Sequence, residues 1–428
     1  MAFANANAAD EALLDGIQVD HINADLTSGH DTTGKHFINA NKKLCFMGTT
    51  KVGDFDITHE RAMEMLRDVN PHGRPNSDVL RLFRNGSDLV QRDSRRWIVD
   101  FGVGTSSEAA SLYAAPFKYV QEFVKPIRSK NKRTTRAKNW WLLGETLPAF
   151  RAAVAEMQRY IGTARVAKHR VFVWQDAPVL PDSKVIAIAF DDDYHFGFLH
   201  SRIHEIWTLA TCGWHGKGND ATYNPTECFE TFPFPFLQDT GEHWLQIVAH
   251  FRAAHYHLEH DNVLREDPPP SSPDQHRAAI AAAAKDLNDL RERWLNPPEW
   301  TEARMLEFPG SNGGPWARFI DPATVNAANG IGTVRYPRLE PQNAECAAKL
   351  TKRTLTNLYN ERPAWLALAH EKLDAAVAAA YGWPADLSDE QILERLLALN
   401  LERAAAEAKA AGAKKPKAQR AKSEDEMI

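Results

Sequence analysis

Lys125, Arg128, Lys130, Lys132, Arg133, Arg136 and Lys138 are packed into 14 residues, and Asn139-Trp140-Trp141 follows at once. From Lys118 to Arg170 there are 13 Lys and Arg against 3 acidic residues, in a chain whose formal charge is -5. Seven cations without interleaved acids do not pair along a helix face, so the chemistry such a stretch offers is phosphate binding. The adjacent tryptophans supply an apolar anchor that would fasten the stretch to a fold. Phosphate clamping by this segment is the first expectation.

Other residue patterns are weaker. Asn296-Pro297-Pro298-Glu299 partly matches the (N/D)PP(Y/F) loop with which exocyclic-amine methyltransferases hold a flipped base, but a carboxylate at the fourth position cannot stack on one. The tetrapeptide follows a long helical pattern, where Asn and two prolines make a helix stop. Gly216-Lys217-Gly218 lacks the GxxxxGK(S/T) pattern and reads as an exposed loop. Cys212, His215 and Cys228 have no fourth ligand at metal-site spacing. Asp191-Asp192-Asp193 reads as a turn capping the next helix rather than a magnesium site. His169, His195, His200 and His204 have no Ser or Cys elbow beside them. The reading therefore assigns no catalytic residue, no cofactor site and no metal site.

The elements that must carry the basic stretch are mixed. LCFMGTTKVGDFDI reads as strand, turn, strand, and THERAMEMLRD as a helix capped by Thr58, with Ala62, Met65 and Leu66 inward. RRWIVDFG reads as a strand, and SSEAASLYAAPFKYVQEFVKPIR as helical in spacing, with Pro116 either in a first turn or breaking it. LPAFRAAVAEMQRYIG places Phe150, Val154, Met157 and Ile161 on one helical face. HRVFVW and SKVIAIAF read as strands, DDDYHFGFLHSRIHEIWTLA as helix. Strands and helices in this irregular order make the fold class α+β. Two long helical patterns, HWLQIVAHFRAAHYHLEHDNVL and HRAAIAAAAKDLNDLRERW, flank the breaker EDPPPSSPD. With 428 residues, 43% hydrophobic, the chain can form two or three domains, and no stretch has the roughly 18 to 20 apolar residues of a membrane span. The start lacks the order of a signal peptide, and Cys45, Cys212, Cys228 and Cys346 have no CxxC, so reduced thiols in a cytoplasmic protein are expected.

In their order, LCFMGTTKVGDFDI, RNGSDL, RRWIVDFG, VKPIRSKNKRTTRAKNWW, RVAKHRVFVW, DDDYHFGFLHSRIHEIW and NPTECFETFPFP resemble blocks of the target-recognition region of large adenine-specific DNA methyltransferases. These are class I S-adenosylmethionine-dependent enzymes of fused restriction-modification and phage-defence systems. LNPPEW, EFPGSNGGPWARFI, TVRYPRL and RTLTNLYNERPAWLALAHEKLDAAVAAAYGW resemble that family's C-terminal extension, so the likeness spans roughly residues 17–400. Composition and pattern give an N-terminal arm or linker (1–40), a helical hairpin spacer (238–299) and, after Asn400, a frayed helix running into a disordered charged tail (401–428), and the resemblance implies a DNA target-recognition domain (41–237) and a mostly helical C-terminal domain (300–400) between them. It implies double-stranded DNA as partner, and a methyltransferase catalytic subunit acting in trans, with S-adenosylmethionine in that subunit, since the family's cofactor turn and NPPY-type loop are not found in this sequence. Activity is then expected only with the partner. The loop TCGWHGKGNDA stands where base-reading residues are expected, which makes Trp214, His215, Lys217 and Asn219 candidates for base edges beside the phosphate-contacting segment and Asn139. Two alternatives use the same residues: a non-catalytic remnant with weak or no DNA binding, and a complete enzyme whose site has no recognisable motif.

Overall fold

A computed structural model describes residues 12–14, 17–19, 32–215, 220–235 and 273–413, and the chain divides into two compact units. The larger comprises residues 43–229 and 261–387, the smaller 1–42, 230–260 and 388–428. The fold is α+β, with a helical C-terminal region, as the irregular alternation of patterns predicts. The first arm of the expected hairpin spacer and the tail from 414 onward lie outside the described residues.

In the smaller unit β1 (Ala12–Leu14) pairs antiparallel with β2 (Ile17–Val19). Its other described parts are held by side chains that take over backbone hydrogen bonding. The Asn400 amide accepts from His36 N at 2.8 Å and donates to Thr231 O at 2.6 Å, and Asn41 Nδ2 donates to Phe232 O at 2.8 Å. Ile38, Phe232, Ile392 and Leu396 are among its buried apolar residues.

The larger unit begins with β3 (Cys45–Met47) and β4 (Asp56–Ile57), which enter different sheets rather than forming the strand, turn, strand unit expected. Helix α1 (His59–Arg67) follows the sequence pattern closely: Thr58 Oγ1 accepts from Arg61 N, and Ala62, Met65 and Leu66 are buried. β5 (Leu80–Arg84), α2 (Gly86–Val90) and β6 (Trp97–Val99) come next, then α3 (Ser107–Ser111), α4 (Ala114–Phe123), α5 (Lys125–Arg128), α6 (Thr134–Lys138) and α7 (Pro148–Val154). Pro116 sits in the first turn of α4, where its missing N–H costs nothing. The helix expected to carry Met157 and Ile161 ends at Val154. From Arg159 to Ala164 the chain is a strand, β7, which explains the error: buried on both faces, it presents apolar residues at spacings that also fit a helix.

β8 (Val166–Ala167) is followed by β9 (Phe172–Asp176), β10 (Leu180–Pro181) and β11 (Val185–Ile188), and these last three complete two four-stranded sheets, of order β10-β5-β6-β4 and β3-β11-β7-β9. All pairings in them are antiparallel except β10 with β5. α8 (Asp193–His200) and α9 (Arg202–Thr211) replace the single helix expected, with Ser201 between them as cap of α9. β12 (Gly213–His215) and β13 (Asp220–Thr222) join β8 in a third sheet.

α10 (Pro273–Leu295) buries Ile280, Ala283, Ala284, Leu287 and Arg291 along one face. Gly197 of α8 lets it approach closely, since a Cβ there would lie 2.8 Å from Ile280 Cγ2 and 3.0 Å from Ala284 Cβ. Arg291 donates to Phe172 O at 2.8 Å and to His200 Nε2 at 2.6 Å. Burial first, then the Arg291 charge, pushes His200 well below its ordinary value, so it stays a neutral acceptor. After α10 comes a long hairpin that the sequence reading did not foresee, β14 (Thr301–Ser311) with β15 (Ile331–Pro341). Phe308, Trp316, Val334 and Tyr336 of this region enter the same core as Phe55, Trp97 and Val99. Trp316 lies 5.4 Å from Trp97 between ring centroids and donates to Leu80 O at 2.9 Å. α11 (Ala344–Leu350), α12 (Leu355–Glu361) and α13 (Ala364–Ala380) close the larger unit, and α14 (Asp389–Ala413) belongs to the smaller. Residues 401–413, read from the sequence as a frayed helix running into a disordered charged tail, continue α14, and Glu407 accepts from Asn39 N at 2.9 Å.

Candidate nucleic-acid interface

The basic stretch runs from the end of α4 through α5 and α6 to the tryptophan pair. Val124 is fully buried, and Pro126 starts α5 as a second short turn, which reorients the chain before the run of cations. The fastening at the far end is aromatic. Trp140 lies 5.2 Å from Phe117 and 5.8 Å from Trp141, and Trp141 Nε1 donates to Thr105 O at 2.8 Å. The Lys125 ammonium stands 4.9 Å over the Trp140 ring, a cation–π contact that leaves the side chain exposed.

The structure corrects the expectation for Arg128. Its side chain is 1% exposed, and the guanidinium donates to Val52 O at 2.5 Å, Leu142 O at 2.7 Å, Lys51 O at 2.9 Å and Arg136 O at 3.4 Å. Burial, then the neighbouring Arg136 charge, pushes it down to about 10, so it remains a cation at neutral pH. With its donors spent on carbonyls it touches no phosphate. It is the staple that holds the basic stretch against residues 51–55 and 142. Arg136 is partly withdrawn too, pairing with Glu145 Oε1 at 2.9 Å.

What remains outward is a compact set. Lys130, Lys132, Arg133, Lys138 and Asn139 are exposed, and among the described residues no ion pair engages these four cations. Arg133 leads into α6, with its backbone N–H held by Asn131 Oδ1 at 2.9 Å. Two rigid anchors thus flank a cationic loop with free side chains, an arrangement suited to backbone phosphates spaced along a strand.

Trp214 and His215 occupy a different place, on β12 of the three-stranded sheet. Trp214 is 51% exposed, and His215 Nδ1 lies 2.6 Å from Thr222 Oγ1 across the hairpin. Lys217 and Asn219 lie outside the described residues.

The patterns set aside in the sequence have structural explanations. Asp192 Oδ1 caps α8 by accepting from His195 N at 2.9 Å, and Asp193 pairs with Arg159 at 2.9 Å. His169 Nε2 meets Asn360 Oδ1 at 2.9 Å, and His204 is buried beside Tyr223. Asn296 follows the last residue of α10, its N–H on Glu292 O at 2.8 Å, while its Oδ1 accepts from Arg92 Nη2 at 3.0 Å. Replacing Asn296 with Ala is therefore expected to cost about 1 kcal/mol of stability and to leave DNA affinity within a few-fold. Urea unfolding and fluorescence anisotropy on one sample check both; a large loss of affinity by a fully folded variant is the contrary result.

One feature of the site region had no signal in the sequence. An open cleft of about 980 Å³ in the larger unit is lined by residues from 72–81, 101–113, 150–155 and 312–318. Asp100 lies behind it, accepting from Arg151 Nη2 at 2.8 Å and Arg81 Nε at 3.2 Å. Arg74 and Asp78 pair at 2.7 Å, and Tyr113 donates to Asp78 Oδ2 at 3.1 Å. Apart from Arg74 and Asp78, four residues apart, no local spacing links these groups.

Among the described residues no helix is long and apolar enough to cross a membrane. No protein-family model matches the chain, and no curated protein matches it. Among solved structures, the chain is similar to the Type IIL restriction-modification enzyme MmeI in complex with DNA, at 16% identity and a TM-score of 0.57. The match covers 91% of this chain and 39% of that one, so the chain spans about two fifths of the length of the enzyme it resembles. The fold is thus one found within a restriction-modification enzyme.

Proposed function

We propose that this chain is the DNA sequence-recognition half of an adenine-specific methyltransferase of a restriction-modification or phage-defence system, positioning duplex DNA for a methyltransferase domain supplied in trans. The observation that carries this reading is the outward row of Lys130, Lys132, Arg133 and Lys138 on a loop stapled from inside by Arg128. The likeness in fold to a restriction-modification enzyme studied in complex with DNA supports it. In this reading the loop contacts phosphates and sets position, while the β12–β13 hairpin, with Trp214 and His215, approaches base edges and sets sequence. S-adenosylmethionine belongs to the catalytic partner, and base flipping into that partner's site needs the duplex gripped on this side of the target.

The two groups should fail differently. Each neutralised phosphate adds roughly 0.9 to the slope of log affinity against log salt, so Lys132→Ala with Arg133→Ala is expected to weaken binding to every duplex and flatten the slope by up to about 2. His215→Ala is expected to leave the slope nearly unchanged and to cost about 1 to 3 kcal/mol at particular base pairs only. Fluorescence anisotropy of the full chain over a salt series, on cognate and scrambled duplexes, reads both. An unaltered slope in the double variant would remove the loop from the interface.

A further inference from the structure

Beside the turn that follows α10, an arginine is held in place with its donors unspent. The Arg353 guanidinium, between α11 and α12, lies 4.5 Å over the Trp294 ring and 5.1 Å over the Trp300 ring. Among the described residues its side chain makes no hydrogen bond and no ion pair, and its nitrogens are open to solvent rather than sealed behind other atoms. The two half-buried indoles are themselves fixed. Trp294 stands in the last turn of α10, and Trp300 N donates to Pro297 O at 2.9 Å before the chain enters β14. Arg92 ties the segments together from a third: Nη1 donates to Leu295 O at 3.2 Å and to Arg353 O at 3.4 Å, and Nη2 to Asn296 Oδ1 at 3.0 Å. The Asn296–Trp300 stretch thus does more than stop a helix, since it sets Trp300 as a shelf for a cation.

An arginine stacked on aromatic faces keeps its edge free, and the edge carries the donors. The rotamer freedom that a long exposed cation gives up on binding is here largely given up in advance. A planar fork fixed in this way matches the paired oxygens of a phosphate. Its neighbours extend the cationic edge. Lys352 is exposed with its ammonium unpaired, and the Lys349 ammonium stands 5.6 Å over the same Trp300 ring. Lys349 also pairs with Glu345 at 2.7 Å, but that pair is exposed and opens at little cost. Glu292 and Glu299 belong to the same segments, so the patch has no large excess of charge. Glu292 accepts from Asn296 Nδ2 at 3.1 Å, and neither carboxylate forms an ion pair with Arg353. The patch is therefore marked by a shaped donor set rather than by a strong field, which suits single phosphates along a backbone better than an acidic tail.

We infer that Arg353, with Lys352 beside it, is a second phosphate clamp on duplex DNA, built on Trp294 and Trp300 and independent of the basic loop. The inference rests on the reading of this chain as a DNA-recognition half, and adds to it a contact from the C-terminal part of the larger unit. A duplex gripped at two places by one unit is fixed in direction as well as in position.

Fluorescence anisotropy of the full chain on duplex DNA over a salt series tests the clamp. Arg353→Gln, which keeps a flat polar side chain on the indoles but not the charge, is expected to weaken binding several-fold on cognate and scrambled duplexes alike and to flatten the slope of log affinity against log salt by about 0.9. Arg353→Lys should restore the slope but only part of the affinity, because an ammonium keeps the charge without the fork. Lys285→Ala, which removes an exposed α10 cation already paired with Asp289 at 2.7 Å, should change neither. Added to Lys132→Ala with Arg133→Ala, Arg353→Gln should flatten the slope by the same further amount, as independent contacts do. Hydroxyl-radical footprinting read by mass spectrometry needs no variant: saturating duplex is expected to protect Trp294 and Trp300 of the unaltered protein from oxidation. A wild-type slope for Arg353→Gln, or full oxidation of both tryptophans on a duplex that is bound, overturns the inference. A slope flattened by the loop variant but not by Arg353→Gln overturns the clamp alone. The reverse pattern upholds the clamp and removes the loop from the interface, and a chain that binds no duplex overturns both.

Discussion

Arg128→Ala is expected to destabilise the larger unit by about 3 to 5 kcal/mol, several times what an exposed cation of the same stretch would cost. The side chain carries four hydrogen bonds to main-chain carbonyls from three separate segments, those at 51–52, 136 and 142. Truncation leaves those oxygens without donors, the one at Leu142 buried and the others partly so, and it removes the contact 5.5 Å over the Phe55 ring. Arg128→Lys should recover less than half of the loss, because one ammonium cannot reach carbonyls on three sides as a planar fork does. DNA binding should weaken as well, through loss of loop order. The salt slope of the protein that remains folded should stay at the wild-type value, since Arg128 neutralises no phosphate. Urea unfolding gives the first quantity and anisotropy below the unfolding transition gives the second. A stable variant whose slope has dropped by about 0.9 would place Arg128 on the DNA and show the staple to be misassigned.

Arg128 also shows where sequence reading stops. It stands five residues from Arg133, in the same run and of the same type, yet one points into the core and the other into solvent. Composition registers the charge of both; only the bend at Val124–Pro126 decides which way each faces. Local rules served well where local physics suffices. Thr58 and the spacing of Ala62, Met65 and Leu66 located α1, and the tryptophan pair marked the anchor of the basic loop. They failed where pairing over long range wins. Tyr160 and Ile161 continue an apolar pattern that suits a helix, but the backbone there is taken by β9 on one side and β11 on the other. The β14–β15 hairpin escaped notice because Pro309, Pro337 and Pro341 interrupt it, which a two-stranded ribbon tolerates at its open edges. The cleft was illegible for a different reason: His72, Asp78, Arg151 and Arg318 are brought together only by the packing of the whole unit.

Asp100→Ala is expected to be comparably severe, costing about 3 to 5 kcal/mol, because it leaves two largely buried guanidinium groups without their shared counter-charge. The Asp100 side chain is 1% exposed, with Oδ2 between Arg151 and Arg81 and Oδ1 accepting from Gly102 N at 3.1 Å. Burial alone would raise this carboxyl, but Arg151 and then Arg81 outweigh it and hold it below the ordinary value. In return the carboxylate keeps Arg81 charged at neutral pH, although burial pushes that guanidinium down to about 10. The sign of the pH dependence follows. A carboxyl whose folded pKa is depressed contributes stability above its unfolded value, about 3.9, and loses it as pH falls through the folded value. Wild-type stability should therefore drop as pH is lowered below about 4, while Asp100→Asn, which keeps the shape but not the charge, should be weak already at pH 7 and should lack this share of the acid loss. Urea midpoints from pH 7 to pH 3 measure the difference. Equal midpoints for Asp100→Asn and wild type at pH 7 would mean that Arg81 and Arg151 need no buried counter-charge, and that the wall of the cleft is held by packing alone.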